Sequence, residues 1–187
     1  MNQISRSRLD LLDADLANRI RHVTSDVLLR LFACECASIA FAWCGNGDMR
    51  SLRAIEVGRC YALGLTNDKS LDEALAFALE AADAADEAAF DARDALDKGE
   101  TTKNAYSKAF GAARAAFSAK DCCRRSSAEA ALNAAYESLA ALRTAVENGQ
   151  TLGGIIPATS YDTETEIDQA IVGVLKAILD AICSIGS

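Results

Sequence analysis

The stretch that decides the fold runs from residue 70 to residue 97 and reads SLDEALAFALEAADAADEAAFDARDALD. Alanine, leucine and glutamate are strong helix formers, and neither glycine nor proline interrupts them, so the stretch predicts one long helix. The same balance holds for the whole chain, whose 187 residues include 38 alanines, 11 glycines and one proline, Pro157. A chain of this length typically forms one compact core, so we predict a single all-α domain over residues 1–187.

Capping signals divide the chain into about seven helices around an alanine-rich middle. Ser70 with Glu73 has the spacing of a capping box, as has Ser126 with Glu129, and Gly64 is placed to end a helix in the left-handed conformation. The predicted helices cover about residues 6–21, 25–44, 48–63, 70–97, 102–120, 126–149 and 163–184. Residues 150–162 hold glycines and the proline, so they are predicted to form a linker-like loop before the last helix.

Charge and composition exclude a disordered protein and disfavour a nucleic-acid-binding one. Hydrophobic residues make up 51% of the chain, the formal net charge is −8, and the isoelectric point is near 4.7. Such a chain is too apolar for intrinsic disorder. Its acidity disfavours direct binding to nucleic acid and would speed association with a basic protein.

The N-terminal residues and the cysteines indicate a cytoplasmic protein. Residues 1–15 lack the continuous apolar core of a secretory signal. The most apolar stretch, residues 27–44, is interrupted by Arg30 and Glu35 and so falls short of a membrane span. Seven cysteines, an odd number within helix-like segments, are typical of reduced thiols rather than of a disulfide framework. We therefore expect the protein in the cytoplasm, with no membrane partner.

Neither a metal site nor a cofactor is predicted. Four cysteines form a loose cluster in the sequence: Cys34, Cys36, Cys44 and Cys60. One residue separates the first two, which places them roughly 200° apart on a helix, and the cluster has neither a CxxC spacing nor a histidine. The adjacent Cys122 and Cys123 are expected to point apart on a helix and to serve packing rather than redox chemistry.

The sequence offers little material for an enzyme. His22 is the only histidine, and it follows a polar stretch where a surface position is expected. No glycine-rich phosphate loop precedes a helix, and the four residues 45–48, Gly-Asn-Gly-Asp, are short enough to be a turn. Because no nucleophile, base and orienting group come together, we predict that the protein is not an enzyme.

One face of the long helix is acidic. At 100° per residue, six carboxylates fall within about 80° of one another and extend over roughly 30 Å. These residues, which we call the acidic stripe, are Glu73, Glu80, Asp83, Glu87, Asp91 and Asp94. Such a stripe is either an ordinary solvated surface or a face that binds a basic groove on a partner.

The last predicted helix carries an apolar stripe at spacings of three and four residues. Its members include Ile171, Leu175, Ile178 and Ile182. Two interpretations stay open at this point. The stripe either packs back on its own bundle or pairs with a second copy of the protein in a homodimer.

The third predicted helix carries a motif. Residues 48–64 read DMRSLRAIEVGRCYALG, with an Asp-x-Arg start, then Ala-Ile-Glu, an arginine, an aromatic residue and a closing glycine. The pattern resembles the signature of the Imm5-like family, a group of all-helical immunity proteins of bacterial polymorphic toxin systems. The resemblance extends more weakly over residues 25–145. The residues that fit the motif are Asp48, Arg50, Ala54, Ile55, Glu56, Arg59, Tyr61 and Gly64.

The resemblance implies a protein that neutralises a toxin by stoichiometric binding. The motif itself has a structural interpretation, because Asp48 can cap its helix and Glu56 can pair with Arg59 or Arg53 at i, i+3 spacing. We expect the acidic stripe to contact a basic toxin or nuclease. The first alternative is an anti-CRISPR-like inhibitor of a host nuclease complex, encoded by a phage or mobile element, whose acidity imitates nucleic acid. The second is a homo-oligomeric structural protein built through the last helix.

Overall fold

The computed structural model describes residues 14–44, 47–148 and 164–185, and in these ranges it contains seven α-helices and no strand. The predicted all-α, single-domain bundle is confirmed. The first part of the predicted helix 6–21 and the predicted linker, residues 150–162, lie outside the described residues. The helices are α1 (Ala14–His22), α2 (Asp26–Cys44), α3 (Met49–Ala62), α4 (Asp68–Asp97), α5 (Lys103–Asp121), α6 (Ser127–Glu147) and α7 (Glu164–Ile185).

Both ends of α3 follow the predicted capping signals. The Asp48 carboxylate accepts the backbone N–H of Arg50 at 2.8 Å, which satisfies a donor that the start of a helix leaves open. At the other end Gly64 has φ +69°, and its N–H donates to the Tyr61 carbonyl at 3.0 Å. Glycine adopts this left-handed conformation without the steric cost that a side chain adds, so the helix ends where the sequence predicts.

The predicted start of α4 is wrong. The helix begins at Asp68, and its N-cap is Asn67, whose side-chain oxygen accepts the Ser70 N–H at 3.1 Å. Ser70, predicted to form a capping box with Glu73, therefore lies inside the first turn. Asparagine caps a helix as well as serine does, so the helix starts at the earlier of the two signals.

Helix α2 lies at the centre of the bundle and packs against α3, α5, α6 and α7. Eight of its residues are buried, and Phe32 has no exposed surface. By length and composition α2 is long and apolar enough to cross a membrane, despite the interruption by Arg30 and Glu35. The core helix of a protein meets the same criterion, and the buried residues of α2 pack in the core of this bundle.

Alanine lets the middle helices approach one another closely. Ala82, Ala85 and Ala89 of α4 form a small buried cluster with Ala113 and Ala116 of α5. Each alanine buries little apolar area, so the hairpin of α4 and α5 depends on close contact along its whole length.

The apolar stripe of α7 packs on its own chain. Ile171 and Leu175 have no exposed surface, Ile182 is buried, and Ile178 is half-buried. Helices α1, α2 and α6 supply the contacts. The intramolecular interpretation of the stripe therefore describes this structure, and a homodimer through the same side chains would require α7 to leave the bundle.

Candidate functional site

The acidic stripe lies on the side of α4 that faces away from the bundle. The buried side chains of α4 are Leu71, Ala74, Ala78, Ala81, Ala82, Ala85 and Ala89. At 100° per residue, their centre lies roughly opposite the centre of the stripe. All six stripe residues are exposed: Glu73, Glu80, Asp83, Glu87, Asp91 and Asp94.

Ion pairs neutralise the ends of the stripe but not its middle. Glu73 and Asp94 each pair with a lysine four residues away on the helix. Glu80 lies 3.7 Å from the guanidinium of Arg50 on α3. In the described part of the chain, no cation pairs with the remaining three carboxylates, Asp83, Glu87 and Asp91.

Other carboxylates of α4 do have cationic partners. Their pairs join α4 to α5, to the loop before α6, and to the next turn of α4 itself. The unpaired carboxylates are therefore concentrated in the middle of the acidic stripe, where neighbours one turn apart repel one another. The pairs are Asp68–Arg125, Asp72–Arg125, Asp86–Arg114 and Asp97–Arg93.

Large apolar side chains flank the acidic stripe. Phe90 is 74% exposed, and Phe77 and Leu79 are each 46% exposed. At 100° per residue they lie about 60–80° from the centre of the stripe. Sequence reasoning missed them, although the helical angle alone separates them from the buried alanines. The outer face of α4 is thus a mixture of unpaired carboxylates and exposed apolar groups.

The first residues of the motif connect α3 to this face. The Asp48 carboxylate accepts hydrogen bonds from the Arg50 guanidinium at 2.7 and 3.1 Å, besides the backbone bond that caps α3. Hydrogen bonding from Arg50 lowers the pKa of the Asp48 carboxyl. Because the same guanidinium reaches Glu80, the motif touches one end of the unpaired middle of the stripe.

The second arginine of the motif binds α2 rather than its own helix. Arg59 donates to the Glu35 carboxylate at 2.8 and 3.1 Å and to the Ser38 hydroxyl at 2.7 Å. Glu56 is exposed and, among the described residues, pairs with neither Arg59 nor Arg53. The predicted i, i+3 pair is therefore wrong, because the carboxylate of Glu35 on the neighbouring helix takes the guanidinium instead.

Tyr61 fastens the end of α3 to its neighbours. Its hydroxyl donates to the Asp68 carboxylate at 2.8 Å at the start of α4. This hydrogen bond raises the pKa of Tyr61. The guanidinium carbon of Arg30 on α2 lies 5.0 Å from the centre of its ring, a cation–π contact.

The apolar residues of the motif lie in the core, next to the two adjacent cysteines. Ala54 and Ile55 are buried, and the Ala54 carbonyl accepts the thiols of Cys123 at 3.1 Å and Cys122 at 3.8 Å. The expectation that the two thiols point apart is wrong, because Cys122 caps the end of α5 and the pair lies in a turn. Hydrogen bonding to Cys123 and Cys34, together with burial, raises the pKa of Cys122.

A polar cleft of about 360 Å³ lies beside Arg30. Arg30 is 3% exposed and donates to the carbonyls of Cys122 at 2.9 Å and Arg125 at 3.0 Å. These carbonyls follow the end of α5, where the helix dipole favours a cation. Asp26, in the same cleft, accepts the Ser127 hydroxyl. The charged groups of the cleft thus already have partners within the bundle.

The described residues assemble no group of three or more histidine, cysteine, aspartate or glutamate side chains able to hold a metal ion. All seven cysteines are free thiols. His22 is exposed, and its Nδ1 lies 2.7 Å from the Asn18 carbonyl oxygen. The outer face of α4 therefore remains the strongest candidate site.

Comparisons of the chain with protein-family models, with curated proteins and with solved structures found no match. The candidate site is thus defined by the described residues alone: an exposed acidic stripe on α4, unpaired at its centre and flanked by apolar side chains.

Proposed function

We propose that the protein is a stoichiometric inhibitor of the immunity type, which neutralises a basic bacterial toxin by covering it with the outer face of α4. The observation that carries the proposal is the position of Asp83, Glu87 and Asp91, which are exposed and have no cationic partner among the described residues. A cationic surface on another protein would supply the missing partners. The resemblance of residues 48–64 to the Imm5-like signature supports the same class of function.

The proposed mechanism has an electrostatic step followed by a contact step. The net charge of −8 and the exposed stripe attract a basic protein and orient it toward α4. Burial of the carboxylates with the flanking apolar side chains then covers the toxin's active site or substrate groove. No chemical step is required of the inhibitor itself.

The motif positions this face rather than binding the toxin. Arg59 joins α3 to α2, and Tyr61 joins α3 to α4, while the Arg50 guanidinium reaches Glu80 from the start of α3. These contacts fix α3 beside α4 and so hold the stripe in one orientation on the bundle. In this proposal the motif supports the shape of the binding face.

Affinity capture of a partner by the wild type and two charge variants tests the proposal. The charge-reversed variant carries Glu80→Lys, Asp83→Lys and Glu87→Lys. The control variant carries the same change of charge on other faces, at three exposed residues that have no ion pair among the described residues: Glu56→Lys, Glu100→Lys and Glu129→Lys. Both variants and the wild type are used as bait in lysate of the source organism, and the retained proteins are identified by mass spectrometry.

The proposal predicts a basic protein that the wild type and the control variant retain and the charge-reversed variant loses. Purified wild type should then abolish the toxic activity of that protein at one inhibitor per toxin. A retained host nuclease complex would instead support the anti-CRISPR-like alternative, and self-association that is equal in all three proteins would support the homo-oligomeric one.

A further inference from the structure

Cations in this bundle repeatedly contact both an aromatic ring and a carboxylate, as Arg114, Arg93 and Lys120 do. The guanidinium carbon of Arg114 lies 5.1 Å from the ring centre of Phe110 and 4.8 Å from that of Phe117. The same guanidinium pairs with Asp86 and Glu137, each at 3.1 Å. One guanidinium thus contacts two rings and two carboxylates at once.

Arg93, on α4, also contacts both an aromatic ring and a carboxylate. The guanidinium carbon of Arg93 lies 5.6 Å from the ring centre of Tyr106, and its Nε pairs with Asp97 at 3.4 Å. A guanidinium can make both contacts at once, because its planar face suits a ring and its N–H edge suits a carboxylate.

The outer face of α4 carries the same two groups without an arginine. Phe90 is 74% exposed, and no cation of the described chain lies over its ring. Glu87 lies three residues before it, so the two side chains are neighbours on the helix surface. Glu87 is exposed and has no ion pair among the described residues, and Asp83 and Asp91 lie one turn from it on either side.

We infer that this face receives an arginine-rich segment of a partner protein, with a guanidinium seated between the Phe90 ring and the Glu87 carboxylate. The inference rests on the proposed function and names the chemistry of its partner. Arginine fits better than lysine, because its planar guanidinium stacks on a ring while it donates to a carboxylate. Phosphate-bearing partners are repelled by the unpaired carboxylates, so the occupant is a basic protein segment rather than a nucleic acid or an anionic lipid.

Two peptide probes test the inference. Fluorescent oligo-arginine and oligo-lysine of equal length and charge are titrated by anisotropy, at low ionic strength, against the full-length protein. A cation–π contact at one exposed ring corresponds to about a two- to fivefold gain in affinity, and the planar guanidinium takes the larger share of it. In Phe90→Ala we expect the affinity for oligo-arginine to fall by up to about that factor and the affinity for oligo-lysine to fall less, so the arginine preference should shrink.

Two variants separate the ring from its surroundings. Leu65→Ala removes an equally exposed apolar group (73% exposed) from the loop before α4, outside the outer face, and it should leave the arginine preference unchanged. Glu87→Gln removes a carboxylate, and it should weaken binding of both peptides. All three substitutions lie on exposed side chains, and circular dichroism checks that each variant keeps its helix content.

The outcomes distinguish the inference from the proposed function. An arginine preference that Phe90→Ala leaves unchanged, while the charge-reversed variant loses affinity for both peptides, overturns the inference and leaves the acidic face of the proposed function standing. Equal affinity of the wild type and the charge-reversed variant for both peptides contradicts the acidic face itself and overturns both.

Discussion

Gly58 of α3 packs directly against two buried thiols, and Gly58→Ala tests the packing that orients the motif. A β-carbon added there would lie 2.9 Å from the Cys34 sulfur and 3.4 Å from the Cys122 sulfur. Both cysteines are fully buried, so neither sulfur can turn into solvent. Overpacking of this kind costs about 1–3 kcal/mol, which opposes a gain of about 1 kcal/mol from replacing a helical glycine by alanine.

Gly111 provides a matched control within α5. It is also buried, but a β-carbon there would meet Cys44 and Thr144 at 3.5 Å, an ordinary van der Waals distance. Gly58→Ala and Gly111→Ala share the gain in helix propensity, so their free energies of unfolding should differ by the overpacking cost alone. About 1–3 kcal/mol corresponds to about 2–12 °C in Tm for a domain of this size.

Thermal unfolding followed by far-ultraviolet circular dichroism measures this difference. We expect the lower Tm for Gly58→Ala. Adding Cys34→Ala removes the nearer sulfur and should recover most of the loss, because the two positions are in direct contact. Equal Tm values for Gly58→Ala and Gly111→Ala would refute the close approach of α3 to α2.

Three further predictions concern capping, acid stability and thiol reactivity. Asn67→Ala should destabilise the protein by about 1 kcal/mol and Ser70→Ala by much less, measured by urea unfolding, because Asn67 is the N-cap of α4. The pKa of Asp48 is lower in the folded protein than in the unfolded chain, because its carboxylate is paired with Arg50. The stabilisation from this pair is therefore present above the unfolded pKa of about 3.9, and it is lost as the pH falls through the folded pKa. The stability gap between wild type and Asp48→Asn should therefore close under acid, and a gap that stays constant from neutral to acid pH would contradict it. Burial raises the pKa of Cys44 from 9.0 to about 11, so iodoacetamide at about pH 8 should label it about 100-fold more slowly in the native protein than in urea, as peptide mapping by mass spectrometry would show.

Local signals made much of the fold predictable. The ends of α3 depend on Asp48 and Gly64, which act on their own backbone, so the sequence contains the whole cause. The exposure of the acidic stripe follows from helical geometry, because a helix that buries one side turns the opposite side to solvent. The start of α4 was not predictable to the residue, since Asn67 and Ser70 are equally good caps and the sequence does not rank them.

Sequence periodicity did not predict which side chains pair between helices. Arg59 pairs with Glu35, and Arg50 with Glu80, and each partner belongs to a different helix. The sequence could not show which carboxylates of the acidic stripe lack an ion pair, because that depends on the position of each cation in the fold. Phe90 escaped notice for a different reason, because an aromatic residue among alanines suggests core packing until the buried side of its helix is identified.

The central claim is that the acidic stripe on α4 steers a basic partner to the protein. The rate constant for association of the captured partner with the protein tests it most directly. Stopped-flow measurements at low ionic strength would compare wild type, the charge-reversed variant and the control variant, which differ from wild type by the same net charge. The account predicts association about tenfold or more slower for the charge-reversed variant and little changed for the control variant, because local rather than total charge steers the encounter. Equal slowing of both variants would contradict it, since the acidic stripe would then be an ordinary solvated surface.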